Sequence, residues 1–186
     1  MFGFGRYGRL FLFATALLWS ASGLAFTIRP TSARSRFAFF FLLTMTGNFG
    51  LIVVQDAASF YSFFALMTYA AYGLVIHERT PEALKAGRVY LIMALAGEGA
   101  IIAALILAVS AGETNSLANA AAALGASPWK NLALGAAALG FGVKAGAFLL
   151  HFWLPLAHPV APTPASAVLS GCMIKAGLLG WLHFFP

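Results

Sequence analysis

The sequence predicts an all-α polytopic membrane protein with about six transmembrane helices, the fifth of them broken. Composition is the first warrant. Apolar residues make up 61% of the 186 and charged residues 9%, against roughly 45–50% and about 25% in a soluble domain. The second is length: six apolar runs of membrane-spanning size follow one another, and about 20 residues suffice for a helix to cross a ~30 Å hydrocarbon core. The third is the lack of strict alternation, which a membrane strand would need. Disorder is excluded by the apolar content. The single cysteine, Cys172, excludes an internal disulfide framework and a cysteine-only metal cage.

The runs are Leu10–Ile28, Phe37–Val54, Ala57–Ile76, Val89–Ala111, Asn131–Pro155 and Ala165–Phe185. Arg6 and Arg9 precede the first, as in a signal peptide, but its apolar stretch is longer than a usual signal core. Arg29, Arg34 and Arg36 follow the first run, and Arg79, Lys85 and Arg88 follow the third. These two connections fall on one side of the membrane. Arg6, Arg9 and Lys130 fall on the other. The positive-inside bias therefore places the Arg-rich connections 29–36 and 78–88 in the cytoplasm, in a multi-pass protein of the inner (plasma) membrane. The net charge of +6 is explained by these connections, so no nucleic-acid partner is expected; the partner is the lipid bilayer. The longest connection, Gly112–Trp129, holds an Ala-rich stretch, Leu117–Leu124, suited to a short surface helix. Gly3–Gly8 spells GxGxxG, but no strand precedes it and no βαβ unit follows.

Three charges lie where charge is expensive. Glu98 is near the middle of the fourth run, Lys144 of the fifth and Lys175 of the sixth. An ion at that depth costs roughly 2.5–3.5 kcal/mol on insertion scales. Each must be paired, neutralised or bathed in water. One reading is a buried ion pair that fixes helix register; the other is a polar ion pathway, which also accounts for the second lysine. Gly140, Gly142 and Gly146 surround Lys144, either for close helix packing through Gly142-x-x-x-Gly146 or for a broken helix beside the lysine. His151, seven residues on, falls on the same helical face and suits a proton relay. Pro155, Pro159, Pro162 and Pro164 suggest a rigid turn before the sixth run, with His158 at its edge.

Gly140-Phe141-Gly142-Val143-Lys144-Ala145-Gly146, His151-Phe152-Trp153-Leu154-Pro155, Ala157-His158, Ala161-Pro162-Thr163-Pro164-Ala165-Ser166-Ala167 and Ser170-Gly171 through Lys175-Ala176-Gly177 form an ordered set. It closely resembles the signature of the antiporter-like, proton-translocating membrane subunits. These are the L, M and N type subunits of respiratory complex I, Mrp-type cation/proton antiporter subunits and membrane subunits of energy-conserving hydrogenases. The specific match covers Leu139–Gly180, and looser likeness extends it over 37–186. The resemblance implies that Lys144 is the central lysine of a broken helix, that Lys175 is the bridging lysine of the next, and that His151 and His158 are the family histidines. It also implies that the chain, a single transmembrane domain over 1–186, resembles only the first of two inverted repeats. Either it is a fragment, or it is a reduced subunit completed by a second chain.

There are departures. The family usually carries a glutamate after the aromatic pair, as partner of the central lysine; here Phe63-Phe64 is followed by Ala65. Leu156 and Val160 stand where acids are usual. Glu98 is the one mid-membrane carboxylate in the sequence and is the candidate replacement.

The function expected is a proton-translocating, or H⁺/Na⁺ antiporter-like, subunit of a respiratory, hydrogenase or Mrp-type complex. It would be non-catalytic itself, with its proton pathway formed by Lys144, Lys175, Glu98, His151 and His158. Other membrane subunits are the expected partners, and the dispersed four His and one Cys offer no metal site and no cofactor site. The alternative is a structural or assembly subunit of such a complex that has lost conduction.

Overall fold

Five helices are long and apolar enough to cross a membrane, and the fifth crossing in chain order is a shorter helix that breaks. The computed structural model describes residues 8–28 and 33–184. The sequence features at Arg6, Arg29 and all but the last residue of Gly3–Gly8 lie outside these. Among the described residues the secondary structure is helical, with one isolated bridge between Asp56 and Ser116. The chain runs α1 (Gly8–Ile28), α2 (Arg34–Val53), α3 (Ala57–Val75), α4 (Pro81–Gly112), α5 (Leu117–Ala123), α6 (Lys130–Ala145), α7 (Leu154–Val160), α8 (Thr163–Val168) and α9 (Ile174–Phe184). A π turn, Leu169–Met173, joins α8 to α9, so that 163–184 forms one crossing.

The helix starts follow local chemistry. The Asp56 carboxylate accepts the Ser59 amide at 2.9 Å and caps α3. Thr80 accepts the Ala83 amide at 3.1 Å, Pro81 occupies the first turn and Glu82 adds a negative charge beside the positive end of the helix dipole. That start signal begins α4 eight residues before its apolar run. Lys85 and Arg88 therefore ride on exposed positions of a 32-residue helix rather than in a loop. The helix is about 48 Å long at 1.5 Å per residue, more than a bilayer core needs, so its first turns project beyond it.

The ends of the helices sort as an even hairpin topology requires. The Ala57 amide donates to the Asn115 carbonyl at 2.8 Å and the Leu117 amide to the Gln55 carbonyl at 2.9 Å, tying the α2–α3 and α4–α5 connections together. At the opposite end Arg36 donates to the His77 carbonyl at 2.6 Å, so the connections after α1 and α3 are neighbours. The Ala-rich stretch forms α5 and a following 3₁₀ turn; Leu117, Ala120 and Leu124 are buried, and α5 packs against α4.

The proline stretch departs from expectation. Pro155 and Pro159 lie inside α7, and Pro164 opens α8, so the segment is mostly helical. Proline is tolerated in a first turn, where its missing N–H has no intrahelical partner. Pro159 removes one later hydrogen bond, and α7 ends after Val160.

Candidate functional site

Close approach of backbones builds the site. A Cβ on Gly140 of α6 would stand 2.6 Å from the Gly97 carbonyl oxygen and 2.9 Å from the Ile101 nitrogen, so α4 and α6 touch main chain to main chain. On the other side, a Cβ on Gly177 of α9 would meet the Ala145 nitrogen at 2.6 Å and the Phe141 oxygen at 2.7 Å. The small-residue packing anticipated for Gly142 and Gly146 is thus carried by Gly140 and Gly177. Gly146 has the other role considered for it. At φ 68° it is left-handed, its amide donates to the Val143 carbonyl at 3.3 Å, and the Ala147 amide donates to the Gly142 carbonyl at 2.9 Å. These two bonds are a Schellman closure, and they stop α6 one residue after Lys144. The Trp153 indole then donates to the Val143 carbonyl at 2.8 Å and pins the far side of the break against α6.

Lys144 is 5% exposed. Its ammonium nitrogen donates to Thr68 Oγ1 of α3 at 2.8 Å and to Tyr90 Oη of α4 at 3.3 Å. It also lies 5.6 Å from the Phe64 ring centre and 5.5 Å from that of Tyr90, within cation–π range. The last turn of a helix favours a cation, since the helix dipole is negative there. Glu98 is 3% exposed, and neither carboxyl oxygen has a hydrogen-bond partner. The hydroxyl of Tyr69 interacts with it from α3, and its charge is felt by Lys144. A void of about 10 Å³ in water-centre volume is lined by both Glu98 and Lys144, with Thr68. A second void of the same size lies between Lys144, Tyr90 and Trp153. About 10–15 Å³ on this measure is room for one water.

Of the residues singled out in the sequence, the fold brings Lys144 and Glu98 to one void. The other three sit elsewhere. Because α6 stops at Ala145, His151 is not on the Lys144 face; it lies half-buried in the break, stacked between Phe148 at 6.3 Å and Phe152 at 5.5 Å. The His158 ring bonds Ser166 Oγ at 2.9 Å and ties α7 to α8. Lys175 is half-buried on α9, just after the π turn. Among the described residues no hydrogen bond links these three to Lys144. Sequence reasoning missed Thr68 and Tyr90. Their only signal was placement: Thr68 lies one turn beyond Phe64 on α3, and Tyr90 lies eight residues before Glu98, on its face of α4.

A family model described as NADH:quinone oxidoreductase/Mrp antiporter, TM, matches residues 54–186. The chain is 38% identical over 144 residues to Hydrogenase-4 component B of Escherichia coli (strain K12), covering 77% of this chain and 21% of that protein. It is 32% identical over 173 residues to a probable K⁺/H⁺ antiporter protein of Rhizobium meliloti (strain 1021), covering 87% of this chain and 32% of that one. Among solved structures it is similar to a chain of the membrane-bound sulfane sulfur reductase, an archaeal respiratory membrane complex. There the TM-score is 0.85 at 27% identity, over 94% of this chain and 37% of that one. The chain thus spans between about a fifth and a third of the curated relatives it matches. With an all-helical membrane fold, a helix broken beside a buried lysine, and a family match from residue 54 onward, this multi-pass membrane chain belongs to the NADH:quinone oxidoreductase/Mrp antiporter transmembrane family.

Proposed function

We propose that the chain is a proton-translocating membrane subunit, with Lys144 as its central proton carrier and Glu98 as the carboxylate that tunes it. The observation that carries this reading is a buried lysine at the end of a broken helix, sharing a water-sized void with a buried carboxylate that has no hydrogen bond. A group that only fixed packing would be better served by a satisfied partner. Lys175, His151 and His158 complete the path: Lys175 for onward transfer along the crossing that contains the π turn, His151 and His158 for access through the break. Solvent outside the described contacts, or a movement of the broken segment, would connect them.

The matched relatives and the archaeal complex support a place among other membrane subunits, in an assembly of respiratory, hydrogenase or Mrp type. Residues 37–186 act as one antiporter-like repeat. The chain sits in the inner (plasma) membrane with the 29–36 and 78–80 connections on the cytoplasmic side, a reading that rests on their arginines.

The test is Lys144→Met in the native complex. Proton uptake is followed in membrane vesicles while assembly is checked on native gels. Loss of uptake with an intact complex is expected. Unchanged uptake, or loss of the complex itself, favours the structural role and sinks the proposal.

A further inference from the structure

We infer that Thr68 and Tyr90 are positioning residues that occupy two of the hydrogen-bonding positions of Lys144 and leave the third as the proton-exchange position, served by single waters on either side. This deepens the proton-carrier reading of Lys144 and rests on it.

The argument is a count of hydrogens. A hydroxyl has one hydrogen to donate. Thr68 Oγ1 gives its hydrogen to the Phe64 carbonyl at 2.9 Å, and Tyr90 Oη gives its own to the Thr68 carbonyl at 2.8 Å. Both hydroxyls therefore face Lys144 as acceptors alone, and each takes one N–H from it. A neutral amine has two N–H groups and a lone pair, whereas an ammonium has three N–H groups. In either state the two acceptors are satisfied by two N–H groups. What differs is the remaining tetrahedral position, which carries a hydrogen when the lysine is charged and a lone pair when it is not. That is the position where a proton arrives or leaves.

The two voids give this position its routes. One touches Lys144 and Glu98, and one water in it has a carboxylate oxygen and the lysine nitrogen as partners. The other touches Lys144, Tyr90 and Trp153, and leads towards the break between α6 and α7. The remaining titratable groups on the packed helices are Tyr61 and Tyr69 on α3, Lys175 and His183 on α9, and His151 in the break. Among all these, Glu98 is the charged group that acts on Lys144 through space. The exchange partner on the α4 side is therefore Glu98. Transfer there moves one proton from Glu98 to the bridging water and one from that water to the Lys144 nitrogen, so the charges change from a neutral pair to carboxylate and ammonium and the atoms balance.

The test reads proton occupancy directly. The complete protein is labelled with ¹⁵N at lysine Nζ and titrated in lipid by solid-state NMR, the Lys144 signal being identified by its loss in Lys144→Met. Thr68→Val keeps the shape and removes one acceptor, which weakens the charged form more than the neutral one. Its midpoint is expected to fall by about one pH unit. Thr68→Ser restores the acceptor and the midpoint. Tyr90→Phe shifts it in the same direction, and it replaces Thr68→Val if that variant is poorly made. Glu98→Gln also lowers the midpoint, and added to Thr68→Val it lowers it further. A midpoint unmoved by either hydroxyl deletion, or not restored by Thr68→Ser, overturns the inference. The vesicle assay on Lys144→Met separately decides the carrier reading, so the two failures are distinguishable.

Discussion

Gly140 and Gly135 lie on the same helix, five residues apart, and the consequences of giving each a methyl group should be opposite. At Gly135 a Cβ meets nothing within 4 Å. Gly135→Ala should gain only from helix propensity, up to about 1 kcal/mol. At Gly140 the same Cβ would sit 2.6 Å from the Gly97 oxygen and 2.9 Å from the Ile101 nitrogen. Those atoms are main chain, so no side chain can swing aside, and α4 and α6 must separate. Overpacking of this kind costs typically 1–3 kcal/mol, and the propensity gain offsets only part of it. The difference between the two variants cancels the propensity term and isolates the contact. For a chain of this size about 1 kcal/mol corresponds to roughly 2–4 °C in Tm. Thermal unfolding in detergent should therefore place Gly140→Ala several degrees below Gly135→Ala. Since Lys144 is one turn beyond Gly140, the shift should also lengthen its bonds to Thr68 and Tyr90 and disturb proton uptake. Equal Tm values would mean that α4 and α6 do not meet through Gly97 and Gly140, and the geometry of the site would fall with that contact.

Two further substitutions probe polar groups within the bundle. The Trp19 indole donates to Asn48 Oδ1 at 3.0 Å, a buried bond between α1 and α2, so Trp19→Phe should lower detergent stability by about 0.6–1.7 kcal/mol, read as a fall in Tm. Glu98→Met removes a buried carboxylate whose oxygens have no hydrogen bond, so Tm should hold or rise while proton uptake is lost; a clear fall in Tm would make Glu98 a structural element.

The crossings were legible because each carries a long apolar run, and the break in the fifth was legible because Gly146 follows a lysine that a membrane helix would not otherwise bury. The start of α4 was misplaced because the apolar run was followed and the capping signal at Thr80-Pro81-Glu82 was not. The proline-rich segment misled for a related reason: proline breaks a helix from its interior, but Pro155 and Pro164 stand in first turns. His151 was placed by counting helical turns across a residue that ends the helix, so its face was lost at Gly146. Thr68 and Tyr90 were invisible for a different reason. Serines, threonines and tyrosines are common in membrane helices, and only the crossing of α3, α4 and α6 shows which of them meet the lysine.

That crossing also explains how Lys144 is held where Ala65 gives it no carboxylate. The ion costs roughly 2.5–3.5 kcal/mol at mid-membrane depth. Against this stand the helix C-terminus, about 0.3–1 kcal/mol, two hydrogen bonds to a charged donor, about 1.5–3 kcal/mol each, and two aromatic faces, about 0.5–1 kcal/mol each. These contributions overlap and do not add in full, yet they match the cost to within a few kcal/mol without an anion in contact. A lysine held near balance is one whose proton a modest change nearby can move. Glu98, across one water, is placed to make that change: its charge favours the ammonium, and its neutralisation withdraws the support. On this reading the carboxylate has moved from α3 to α4, and the hydroxyl of Thr68, one turn from Ala65, holds the lysine in its absence.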